Sequence, residues 1–137
     1  MAVNLSSAPV RLFLVRHAHS DPGQPDELRP LSARGREQAR ELAERLAAAA
    51  PEVVLASPLL RARETAAAIA KAAGVEMRVD ERLAPGASAE DVLAAIEGAG
   101  EAVVAVGHQP DCSEVAAALG AGDVEFATAA VLEIAVP

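Results

Sequence analysis

Apolar and polar residues alternate along this chain in two rhythms. Residues 10–15, "VRLFLV", are apolar except for Arg11 and read as a strand buried on both faces. From Ser32, a fitting N-cap, apolar residues recur at 39, 42, 43, 46, 47 and 50 with charges between them. That spacing predicts a helix over 33–50 with one face inward, stopped by Pro51. "EVVLAS", 52–57, predicts a second strand, and Pro58 suits the first turn of the helix that follows. That helix, 58–73, places Ala62, Ala66, Ile69, Ala70 and Ala73 on one side and ends at Gly74. "VEMRV", 75–79, is a third strand, and Ser88 caps a helix running through Ile96. "EAVVAVG", 101–107, is a fourth strand, "PDCSEVAAAL" a helix after Pro110, and "VLEIAV", 131–136, a last strand.

Strands alternating with helices, two of them continuously apolar, predict an α/β fold. The expected form is a three-layer sandwich around a mainly parallel central sheet, with the last strand free to lie antiparallel. No repeat, low-complexity run or linker interrupts the pattern, so residues 1–137 are expected to form a single domain, a length that supports a real core.

Composition sharpens this picture. Aromatic residues are 1% of the chain, Phe13 and Phe126, so packing must come from aliphatic layers with close Ala contacts. The net charge of −8, the single lysine (Lys71) and the lack of stacking side chains argue against nucleic acid and against anionic membrane surfaces. Cys112 is the only cysteine, which rules out an intrachain disulfide and a Cys-based zinc site and points to a reducing, cytoplasmic setting. The opening "MAVNLSSAPVR" has no basic segment followed by a long apolar one, so no secretory leader is expected.

The chemistry-bearing residues collect at strand ends. In an open α/β sheet, ligands sit beyond the carboxyl ends of the strands. The first strand ends at Arg16 and His17, the second at Ser57 with Arg61 one turn into the next helix, and the fourth at Gly107 and His108. Two guanidiniums, two imidazoles and a helix N-terminus on one rim make a cation cluster suited to phosphate oxygens. Nearby arginines disfavour an imidazolium, so His17 should be neutral near pH 7, and a neutral imidazole is a competent nucleophile. Attack by His17 on phosphorus would give a phosphohistidine that water hydrolyses, with Arg16, Arg61 and His108 holding the other oxygens.

Four segments, in order, resemble the histidine phosphatase superfamily. "LFLVRHAHS" is similar to its Arg-His-Gly or Arg-His-Ala signature, and "RPLSARGREQA" to its Pro-Leu-(Ser/Thr)-x-x-Gly-x-x-Gln segment. "ASPLLRARETA" is similar to its Ser-Pro-x-x-Arg-Ala-x-x-Thr-Ala segment, and "VGHQP" to its Gly-His-x-Pro. The resemblance implies a phosphoglycerate mutase-like fold, a nucleophile at His17, phosphate ligands at Arg16, Arg61 and His108, and no metal or cofactor. The short chain is similar to the SixA-like phosphohistidine phosphatase branch, which lacks the lid-building insertions of the mutases. Larger members carry a glutamate general acid in a Leu-x-Glu context after the third strand. Here "DERLAPG" follows Leu83 with Ala84 and Pro85, leaving Asp80 or Glu81 as the possible substitutes. Without an acid, expelling an imidazole from a phosphoramidate is easier than expelling an alkoxide, which favours phosphohistidine on a protein over a small phosphate ester.

Other readings remain. Arg16 and Arg61 taken singly are ordinary ion-pair partners, and His108 taken singly is a core histidine at a helix start. His19 reads as structural, Asp21 as a loop cap, Thr65 as either orienting Arg61 or satisfying backbone, and Cys112 as helix packing. His17 and His19 form a His-x-His pair, which keeps a metal-dependent hydrolase open, although further ligands are not at an obvious spacing. A small-molecule phosphomonoesterase and a non-catalytic phosphate-binding module also stay open, and a mutase is disfavoured. The charge run "RGREQARELAER" reads as a solvated helix face with a Glu41–Arg45 attraction and a Glu37–Glu41 repulsion.

Overall fold

The "VRLFLV" run becomes β1, Val10–Arg16, and its neighbours explain why residues 12–15 are apolar on both faces. In this computed structural model, which describes residues 9–137, β1 lies inside a five-stranded sheet of order β3-β2-β4-β1-β5. The other strands are β2 (Val53–Ala56), β3 (Glu76–Val79), β4 (Ala102–Gly107) and β5 (Val131–Val136). Strands β1 to β4 run parallel, and β5 pairs antiparallel with β1. Residues 1–8, which include most of the stretch read above for a leader, lie outside the described residues.

Successive strand residues point to opposite faces, and each face has its own helices. Phe13, Val15, Val54, Val104 and Val106 pack with Leu42, Ala43 and Leu46 of α1 (Ala33–Ala47) and Ala62, Ala66 and Ile69 of α2 (Leu60–Ala73). Leu12, Leu14, Leu55, Val103 and Ala105 pack with Val92 and Ile96 of α3 (Ala89–Ile96) and Cys112 and Val115 of α4 (Asp111–Ala118). This gives the expected three layers with an aliphatic interior. Each fully buried Leu, Ile or Val side chain contributes about 1.5–3 kcal/mol.

The element ends differ from the sequence reading for local reasons. Helix α1 stops at Ala47 because Ala49 and Ala50 turn back onto Leu46 and Ala47, and the residue before a proline avoids the helical region. Ala50 therefore sits at φ 53°, exposed, and contributes nothing to the apolar face. Helix α2 begins at Leu60, two residues after Pro58. Ser32 caps α1 and Ser88 caps α3, as expected, the latter through a reciprocal pair with Asp91. On the solvated face of α1 the ion pairs are Arg40 with Glu37 and with Glu44, and not Glu41 with Arg45.

Candidate active site

Parallel pairing of β1, β4 and β2 fixes the rim. Arg16 is in register with Gly107, the His17 N–H donates to Gly107 O at 3.0 Å, and the Ser57 N–H donates to Val106 O at 3.0 Å. The carboxyl ends of three neighbouring strands thus deliver Arg16, His17, His108 and Ser57 side by side, and the first turn of α2 adds Arg61. His17, Arg61 and His108 are all buried, and the two imidazole rings lie 5.2 Å apart between centroids.

His17 is held in one tautomer. Its Nδ1 lies 2.7 Å from Ala18 O, a carbonyl that can only accept, so Nδ1 carries the proton and Nε2 keeps its lone pair. Burial, more than any other influence, lowers the ring from its ordinary 6.5 to about 4. The bond to Ala18 opposes this, and Arg61, Arg16 and Arg29 push the same way as burial. Ala18 is fixed in turn, since its N–H donates to Thr65 Oγ1 at 3.0 Å and Thr65 Oγ1 donates to Arg61 O at 2.8 Å.

His108 is pinned from its far side. Its Nε2 lies 2.7 Å from Ser57 Oγ, and that hydroxyl accepts the Leu59 N–H at 3.3 Å. Among the described residues Nε2 is the only acceptor within reach of this buried hydroxyl's proton, so Ser57 donates to Nε2 and the ring proton of His108 lies on Nδ1. Burial, then His17 and Arg61, lower His108 to about 3, so it donates as a neutral ring. Two buried side-chain nitrogens among the described residues have no hydrogen-bond partner, His108 Nδ1 and Arg16 Nε. Both belong to this rim, and buried polar atoms left unpaired in a fold commonly mark a ligand's place. The other end of Arg16 is anchored by donation from Nη1 to Phe126 O at 2.9 Å.

The loop between β1 and α1 closes one side. Arg61 donates to Asp26 O at 2.9 Å and to Asp26 Oδ2 at 3.2 Å, and Arg29 donates to Asp26 Oδ1 at 3.0 Å and to Ser20 Oγ at 2.9 Å. His19 is tied to the start of α1. Its Nδ1 lies 2.7 Å from Ser32 Oγ, its N–H donates to Gln38 Oε1, and its carbonyl accepts the Ser32 N–H. Ala129, at φ 62°, donates its N–H to both Arg16 O and His17 O. A non-glycine residue held there stores strain beside the site.

Sequence reasoning brought together Arg16, His17, Arg61 and His108, and the structure places all four on one rim. It missed Ser57 as the partner of His108, and Asp26 and Arg29 as the loop's ion-pair chain. The Ser-Pro segment already contained Ser57. Asp26 and Arg29 sit in a proline-rich loop with no periodicity to mark them. Asp80 is a poor substitute acid. It caps the 3-10 turn Glu81–Leu83, its carboxylate is gripped by Arg82 at 2.7 Å, and that contact holds its carboxyl below the usual range. Cys112 is buried, its thiol pushed up to about 12 by burial, and it packs against β1 as expected for a structural residue. Among the described residues no three His, Cys, Asp or Glu side chains are grouped to hold a metal ion, and no helix is long and apolar enough to cross a membrane.

A fold of this kind with two imidazoles and two arginines on one rim defines an α/β protein with a cation-lined site at the carboxyl ends of its strands. Residues 12–85 match the model of the histidine phosphatase superfamily (branch 1), and the chain belongs to that superfamily. Over 81 residues it is 37% identical to a protein of Enterobacter sp. (strain 638) named as the probable phosphoglycerate mutase GpmB, covering 54% of this chain and 37% of that protein. The chain spans 37% and 61% of the lengths of two curated relatives it matches. Among solved structures it is similar to the protein histidine phosphatase SixA complexed with tungstate, with TM-score 0.81 and 25% identity over 90% of this chain and 86% of that one. It is also similar to a mycobacterial glucosyl-3-phosphoglycerate phosphatase complexed with inorganic phosphate, with TM-score 0.63 and 27% identity over 80% and 78% of the two chains.

Proposed function

We propose that this chain is a metal-independent phosphatase that works through a phosphorylated His17 and acts on phosphohistidine in a protein. The observation that carries the reading is the bond from His17 Nδ1 to Ala18 O, in a ring kept neutral by burial. It supplies a lone pair on Nε2 at neutral pH without a general base. Arg16 Nε and His108 Nδ1, both buried and unpaired, are donors suited to the equatorial oxygens, with the Arg61 guanidinium as a third.

The steps balance without a proton donor. The Nε2 lone pair forms a bond to phosphorus as the bond from phosphorus to the substrate ring breaks. The released pair stays on the substrate nitrogen, which departs as neutral imidazole if its other nitrogen is protonated. Water then attacks phosphorus, His17 leaves as neutral imidazole, and both water protons stay with the phosphate. Likeness to SixA favours this substrate, and so does the engagement of Asp80 by Arg82, which leaves it without a proton to give an alkoxide.

A small-molecule phosphomonoesterase is the second reading, favoured by the likeness to the glucosyl-3-phosphoglycerate phosphatase. A substrate panel separates the two: a phosphohistidine protein, phosphoramidate, sugar phosphates and an aryl phosphate, run with wild type and His17→Ala. Preference for P–N substrates, an acid-labile phosphoenzyme and complete loss in His17→Ala are expected, with no effect of chelator. Preference for esters assigns the second reading, and activity surviving in His17→Ala overturns the mechanism.

A further inference from the structure

A carboxylate stands inside the cation cluster. Asp26 lies on the 3-10 turn Asp26–Leu28, where Oδ2 faces Arg61 and Oδ1 faces Arg29 at 3.2 and 3.0 Å. Its side chain is 57% exposed, whereas that of Arg61 is 9% exposed, so Asp26 forms the outer wall of the site and Arg61 the inner. The charge of Asp26 reaches the pocket, because it favours the charged form of His108 against burial and against Arg61. Bonds from Arg29 and Arg61 hold its carboxyl below the usual range, so it is an anion and has no proton to donate. A fixed negative charge at the entrance to a phosphate site weakens phosphate binding unless it serves the other half of the substrate.

In an in-line displacement the leaving group departs opposite the attacking nitrogen. His17 is buried at the strand end and Asp26 stands on the solvent side of Arg61, so a leaving group that departs toward solvent meets the loop that carries Asp26. A phosphohistidine ring protonated on its remote nitrogen is a cation until phosphorus leaves it. A carboxylate held beside its exit favours that protonated form, which is the form that departs as neutral imidazole. The same carboxylate repels a leaving group that bears negative charge of its own.

We propose that Asp26 is a specificity-determining residue of this site, selecting a protonated imidazole as the leaving group and rejecting anionic ones. The proposal rests on the phosphohistidine reading above and adds a reason for it within this chain's own residues.

The test compares kcat/KM of wild type, Asp26→Asn and Asp26→Glu on a phosphohistidine peptide, an uncharged aryl phosphate and a phosphorylated hydroxy acid. Asp26→Asn should lower the ratio of phosphohistidine to aryl phosphate about fivefold and raise that of the hydroxy acid to aryl phosphate, the scale of one partly exposed charge contact. Asp26→Glu should keep the wild-type order. Equal losses on all three substrates in Asp26→Asn would mean that Asp26 only positions Arg61, and would overturn the proposal while leaving the phosphatase reading intact. Wild type that never turns over phosphohistidine would overturn both.

Discussion

The hydroxyl of Thr65 accepts the backbone N–H of Ala18 at 3.0 Å, joining α2 to the tip of β1. Ala18 is the residue whose carbonyl holds His17 Nδ1 at 2.7 Å, so a side chain one turn beyond Arg61 sets the orientation of the imidazole. Thr65→Val keeps the shape and leaves the buried Ala18 N–H unpaired, which costs about 1–3 kcal/mol. Urea denaturation should show that loss, and kcat should fall more than KM rises, because Nε2 is misaimed while the side chains of Arg16, Arg61 and His108 keep their contacts. Thr65→Ser, which keeps the hydroxyl, should recover most of kcat. Equal kcat in Thr65→Val and wild type would remove Thr65 from the positioning of His17.

Ser57 plays the matching part for His108. Its hydroxyl, fully buried, holds Nε2 at 2.7 Å and so leaves Nδ1, buried and unpartnered, as the ring's free donor. Ser57→Ala frees the ring to move its proton to Nε2, which puts an acceptor where the proposed phosphate needs a donor. Binding of phosphate or tungstate, measured by calorimetry, should weaken about tenfold, the scale of one lost hydrogen bond to a charged group. Nitrogen NMR of the His108 ring should show a mixture of tautomers in the variant and one in wild type.

Both histidines are neutral when folded, which fixes the sign of the acid response. Their pKa values drop from 6.5 to about 4 for His17 and about 3 for His108 on folding. Between these values and 6.5 the unfolded chain binds more protons than the folded one. Stability is therefore complete above 6.5 and falls as pH drops through the window, at up to about 1.4 kcal/mol per pH unit for each histidine. Denaturation midpoints in anion-free buffer from pH 7.5 to 4.5 should follow this slope, and His108→Asn should flatten it. A wild-type midpoint that stays level from 7.5 to 4.5 would contradict the buried neutral pair.

Much of this was legible in the chain itself. The two apolar runs of β1 and β4, in a chain that alternates strands with helices, predict a buried and mainly parallel sheet, and that placed Arg16, His17 and His108 on one edge. Of the "RPLSARGREQA" segment, the Ser32 cap of α1 was legible as physics and the rest only as a pattern. Its Gly35 lets the helix touch the backbone of His19, and its Gln38 receives the His19 N–H and donates to Thr128 Oγ1 at 3.2 Å. Those contacts span the chain and leave no periodic trace. The Asp26 bridge escaped for the same reason, since an ion pair between a proline-rich loop and a helix 35 residues on has no local signature. The end of α1 was misjudged because Ala48 to Ala50 look helical by composition, and only the turn before Pro51 decides otherwise.

Gly35 offers the sharpest structural test. In an exposed helix, Gly→Ala is stabilising by about 1 kcal/mol. Here a Cβ would collide with His19 O, a backbone atom already fixed by the Ser32 N–H at 3.0 Å, so one of the two segments must move. Overpacking of this kind costs about 1–3 kcal/mol, enough to reverse the usual sign. Gly35→Ala should lower the thermal midpoint, and Arg34→Ala, on the exposed face next to it, should leave it nearly unchanged. Because His19 leads into the loop that carries Asp26 and Arg29, the glycine variant should also raise KM for the phosphorylated substrate. A Gly35→Ala protein as stable as wild type would show that α1 does not press on the β1 loop, and would remove the contact on which that loop's position depends.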